Sequence, residues 1–73
     1  MTQRKRIIVA ITGASGAIYA QRVVQILVAR GVELHLVVSA LGRRLLHDEL
    51  GMEGIDIERL AGGGEAAGSV VLH

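Results

Sequence analysis

Apolar positions along this chain switch between two rhythms. Residues 6–12, Arg-Ile-Ile-Val-Ala-Ile-Thr, form a short run rich in β-branched side chains, as strands are. The run has no clean apolar–polar alternation, which predicts a strand covered on both faces, as in a parallel sheet. Over residues 17–30 the rhythm becomes helical. Ala20, Val23, Val24 and Leu27 make an apolar stripe among Gln21, Arg22, Gln25 and Arg30, and Gly31 follows as a stop. A second β-branched run spans about 33–38, and Ser39 is suited to capping a helix over about 40–51. Strand–helix–strand–helix with short connections predicts a right-handed βαβ unit plus one helix, the signature of an α/β fold.

The pattern weakens after Gly51. Six glycines punctuate residues 51–68, so 52–68 reads as a flexible segment with Gly62–Gly64 as a link. Residues 69–73, Ser-Val-Val-Leu-His, begin another element. Two parallel strands are not self-sufficient. The expected architecture is therefore a flavodoxin- or Rossmann-like three-layer parallel sheet. Residues 1–73 would be the N-terminal part of one such domain, carrying two βα units and part of a third.

Composition sharpens this reading. The chain has 73 residues, one aromatic (Tyr19) and no cysteine. Disulfides are excluded, and three scattered histidines without cysteine argue against a structural zinc. So short a chain is expected to draw stability from further chain or from other subunits. A net charge of +1 gives no case for nucleic acid. The run Arg4-Lys5-Arg6 reads as a solvated lead-in to the first strand. No apolar stretch is long enough to span a membrane. Thr12, Gly13, Ser15 and Gly16 interrupt any signal-peptide core too early. The expected location is the cytoplasm.

The chemistry-bearing feature is the turn Thr12-Gly13-Ala14-Ser15-Gly16. In open α/β sheets ligands bind beyond the carboxyl ends of the strands. Glycines there admit a close backbone approach, and the following helix N-terminus favours phosphate. The dinucleotide fingerprint GxGxxG fails, because Ser15 and Ile18 stand at its second and third glycines. The P-loop pattern fails too. The turn resembles the Thr-Gly-x-x-x-Gly-x-Gly segment of short-chain dehydrogenases, but Ala17 and Tyr19 replace its last two glycines. A plain strand–helix turn with Ser15 as N-cap is the structural alternative. The second strand ends in Val37-Val38-Ser39-Ala40, without the acid that a dinucleotide ribose wants. Ser39 is either a flavin contact or a helix cap. Arg43 and Arg44 either bind a 2′-phosphate or share a solvated face with His47 and Asp48.

Glu49 is a misfit. At about 100° per residue, Leu41, Leu45, Leu46, Leu50 and Met52 mark one apolar face, and Glu49 falls near its middle. A carboxylate there is either buried, with a partner or a proton-transfer role, or exposed because the helix ends early. His35 reads as a satisfied core or edge histidine, and Tyr19 as a packing residue with its hydroxyl at the surface.

Taken together, Ile11-Thr12-Gly13-Ala14-Ser15-Gly16-Ala17-Ile18-Tyr19 closely resembles the opening motif of UbiX-type flavin prenyltransferases. Glu33-Leu34-His35-Leu36-Val37-Val38-Ser39 and the Arg-rich helix reaching Asp48-Glu49 continue the match over about residues 6–50. Ala20 departs from the family, which usually has glycine there. The resemblance implies an FMN-binding α/β protein that assembles as a homo-dodecamer. It would transfer a dimethylallyl group from dimethylallyl phosphate to reduced FMN, without a metal. The prenylated FMN would pass to UbiD-type decarboxylases, in ubiquinone synthesis and aromatic acid decarboxylation. By position, Gly13, Ala14, Ser15 and Ser39 would bind FMN, with Ser15 near N5, and Glu49 would assist proton movements beside Ser15. Elements beyond His73 would be needed for a complete site. The competing readings are an NAD(P)-binding domain of the short-chain dehydrogenase kind, an FMN-dependent cysteine decarboxylase and a non-catalytic fragment.

Overall fold

The computed structural model describes residues 5–13 and 16–73. Three parallel strands form one sheet in the order β1-β2-β3. They are β1 (Arg6–Ile11), β2 (Glu33–Val38) and β3 (Val70–Leu72). Helix α1 (Ala17–Ala29) connects β1 to β2; α2 (Ala40–Leu50), α3 (Ile57–Ala61) and α4 (Gly64–Ala67) lie between β2 and β3. The α/β class and parallel sheet expected from the sequence are found. Register runs from Arg6 opposite Glu33 to Ile11 opposite Val38, so β1 and β2 end level. Residues 69–73 do open a further element: Val70 pairs with Leu34 and Leu72 with Leu36.

The strands alternate after all. Ile11, Leu34, Leu36 and Val38 are buried, with Val9 partly so, and they pack with Ala17, Val24, Leu46 and Leu60 of the helices. Their neighbours Ile8 (74% exposed) and Val37 (42%) point the other way. Of the two faces expected to be covered over residues 6–12, the described residues cover one. A sheet ordered β1-β2-β3 with right-handed crossovers places its connecting helices on one side. The apolar residues at Ile8 and Val37 belong to the opposite face, which the described residues leave open. There Arg6 Nε and His35 Nε2 meet Glu33 Oε2 at 3.0 and 2.8 Å. His35 Nδ1 lies 2.7 Å from His73 Nε2. His35 is thus a satisfied histidine on the sheet.

The helix ends follow their capping chemistry. Arg30 closes α1, and Gly31 behind it takes a positive φ. Gly51 closes α2 in the left-handed conformation, with its N–H on the His47 carbonyl at 2.9 Å. The Gly-rich stretch 52–68 carries α3 and α4. Asp56 caps α3 by accepting from the Arg59 N–H at 3.1 Å, and Met52, Leu60 and Ala61 are buried against the helical layer. Gln21 ties α1 to α3 through its amide, which donates to the Arg59 carbonyl at 3.0 Å.

Candidate functional site

Level strand ends bring two helix N-termini to the same edge of the sheet. α1 starts at Gly16, directly after the β1 turn, and α2 starts at Ser39, directly after β2. Both turn the positive end of a helix dipole toward the space beyond the strands.

The two starts are capped differently. Ser39 caps α2 locally: the Gly42 N–H donates to Ser39 Oγ at 3.0 Å. The Ser39 hydroxyl also donates to the Ile11 carbonyl at 3.3 Å, and the Ser39 N–H donates to the same oxygen at 3.0 Å. Gly16 has no side chain to offer, and the first turn of α1 has no acidic residue. The missing acceptor comes from 32 positions away, where the Ala17 N–H donates to Glu49 Oε1 at 3.0 Å. Ala17 is fully buried, and a carboxylate at a helix N-terminus is favoured by the dipole.

This resolves the Glu49 misfit. The helix continues through Leu50, so Glu49 is not released by an early end. Nor is it buried: Glu49 is exposed, and the core reading of its position is corrected. Gly42 and Leu46 are the buried residues of α2, while Leu41 is 69% exposed and lies off the core face. Glu49 continues the inward line of Gly42 and Leu46. By the last turn that line has left the sheet and meets the start of α1 instead.

Gly13 takes φ +88°, and a methyl group on it would lie 3.1–3.2 Å from the Cβ, C and O of Leu41. Gly13 thus packs directly on the first turn of α2. Ala14 and Ser15 lie outside the described residues. Gly16, not Ser15, is the N-cap of α1. A cleft of about 160 Å³ opens beside the turn, lined by Thr12, Gly13, Tyr19 and Val23 among others. That is about half the lower end of the usual range for small-molecule pockets, so the described residues form one wall of a site. Tyr19 is 68% exposed at its mouth. Arg43, Arg44, His47 and Asp48 form a solvated face of α2, with Arg44 Nε 3.7 Å from Asp48 Oδ2. No acid stands at the end of β2. Among the described residues no group of three or more His, Cys, Asp or Glu side chains is arranged to hold a metal. No helix among them is long and apolar enough to cross a membrane.

Two contributors were not singled out from sequence. The Ala17 amide carries no side-chain signal. Gly42 does: a glycine three residues into a helix is costly and implies a close approach.

The Glu49 carboxylate occupies the first amide of α1, and Gly13 packs closely on Leu41 of α2. A family model described as Flavoprotein matches residues 1–70. Flavin prenyltransferase UbiX of Methanothermobacter thermautotrophicus is 42% identical over 57 residues, 78% of this chain and 30% of that protein. Flavin prenyltransferase UbiX of Saccharolobus solfataricus is 44% identical over 52 residues, covering 71% of this chain and 26% of its own. The mitochondrial flavin prenyltransferase PAD1 of Saccharomyces cerevisiae is 44% identical over 57 residues, covering 78% and 24%. The chain thus spans less than a third of the length of these relatives.

Proposed function

The chain belongs to the Flavoprotein family, and from that premise we propose that it forms the first flavin-binding wall of a flavin prenyltransferase. The whole protein would transfer a dimethylallyl group from dimethylallyl phosphate to reduced FMN and deliver prenylated FMN to a UbiD-type decarboxylase. It would work in the cytoplasm as a homo-oligomer, by the family resemblance a dodecamer. The relatives named above support the reaction class.

Reduced FMN, when bound, supplies the nucleophilic ring atoms N5 and C6. The residues of this chain bind, orient and handle protons. By the family resemblance, Gly13 and Ala14 would let the backbone approach the flavin, and Ser15 would hydrogen-bond near N5. Ser39 contributes from the second helix start through the lone pair its two hydrogen bonds leave over. Glu49 holds a carboxylate at the corner and accepts or returns a proton as the new bonds form.

The observation that carries this reading is the Glu49 carboxylate brought from the far end of α2 to the Ala17 amide. A carboxylate so placed is fixed in direction by a backbone donor, yet exposed enough to exchange protons. The test is an anaerobic assay of the full-length protein with reduced FMN and dimethylallyl phosphate, read by mass spectrometry of the flavin. Glu49→Gln should bind FMN normally while product formation falls by about 10²-fold or more, the usual size of a general acid–base contribution. Unchanged turnover in that variant would remove the proton-handling role. Absence of prenylated flavin with the unaltered protein would remove the reaction.

A further inference from the structure

Gly42 is buried where the first turn of α2 crosses the end of β1. A methyl group on it would overlap the Ile11 carbonyl oxygen, lie 2.8 Å from the carbonyl carbon and 3.1 Å from Val38 Cγ1. The obstructing atoms are mainly backbone, and they cannot retreat. The Ile11 oxygen is held by the Ser39 N–H and the Ser39 hydroxyl, and β1 is locked in register with β2.

We propose that Gly42 is a positioning residue for Glu49: it sets how closely α2 approaches the end of β1, and so brings the Glu49 carboxylate to the Ala17 amide. This rests on reading Glu49 as the proton-handling group of the flavin site. Glu49 lies seven residues after Gly42, about two turns or roughly 10 Å along the same helix face. A helix moves as a rigid rod over that distance, so a displacement at Gly42 reaches Glu49. The hydrogen bond is 3.0 Å long and has about half an ångström of slack before it is lost. A side chain at position 42 must move the helix by more than that. Helix propensity alone argues against glycine here, which leaves close approach as the reason for it.

The experiment follows the Ala17 amide of the full-length protein, selectively labelled at alanine, leucine and glutamate, by NMR through an acid titration, in which a protonated carboxyl is a weaker acceptor than a carboxylate. The unaltered chain should show the Ala17 amide moving in step with the Glu49 carboxyl carbon. In Gly42→Leu that coupled movement should vanish, while Leu34 and Leu36 amides stay protected from exchange and show the sheet intact. In Gly42→Ala it should shrink by at least about two-fold. A merely structural role would lower protection throughout and leave the Ala17 response of the folded molecules unchanged. A folded leucine variant with the full response overturns the proposal. Should the leucine variant not fold, an alanine variant with the full response overturns it equally. The readout contains no flavin, so it can fail while FMN binding succeeds, and succeed while FMN binding fails.

Discussion

At the residue scale, the candidate corner depends on small side chains in close contact. Gly13 combines a left-handed backbone with Leu41 atoms at 3.1–3.2 Å from where a Cβ would stand. Gly13→Ala should therefore destabilise the chain by about 1–3 kcal/mol, the usual cost of a strained backbone site, read as a lower urea midpoint. Gly54 has open space around its Cα and no positive φ. Gly54→Ala should be neutral or stabilising by up to about 1 kcal/mol, through the unfolded chain. Glu49 is the residue whose angle on the helix was legible and whose burial was not. Helical periodicity places it on the inward line with Leu45 and Leu46. Periodicity does not reveal that this line has left the sheet by the last turn, because that depends on how α2 crosses β1.

At the scale of elements, both helix starts are fixed by carboxylate or hydroxyl groups, one local and one remote. Ser39 was legible as a cap because its partner lies three residues ahead, within the same turn. The cap of α1 was not, since its acceptor comes from 32 residues away. Ser39→Ala removes the α2 cap and one of the two bonds to the Ile11 carbonyl. It should cost about 1–2 kcal/mol, and Ser39→Thr should recover most of the loss, measured by thermal unfolding. α3 and α4 were hidden by glycine content. Asp56 was an available cap, but Ile57, Leu60 and Ala61 form too short an apolar pattern to stand out from the glycines around them.

At the scale of the whole molecule, the described residues put one helical layer on the sheet and leave its other face uncovered. Strand existence, order of elements and the α/β class were legible, because β-branched runs and a helical stripe survive in any context. Which faces are covered was not, because Ile8 and Val37 are as apolar as the core residues beside them. Leu36 is fully buried while Ile8 is 74% exposed. Leu36→Ala should cost this chain about 2–5 kcal/mol, whereas Ile8→Ser should stay within about 0.5 kcal/mol, as exposed substitutions do. Paired urea titrations separate the two. In this fold the second strand's helix reaches back over the first strand's turn, and the chemistry proposed here depends on that return. Scalar coupling through the hydrogen bond, between the Ala17 amide nitrogen and the Glu49 side-chain carboxyl carbon in a doubly labelled sample near neutral pH, measures it directly. The account predicts a resolved coupling that is absent in Glu49→Ala, which has no side-chain acceptor; a well-folded sample in which Ala17 couples to no side-chain carbon would contradict it.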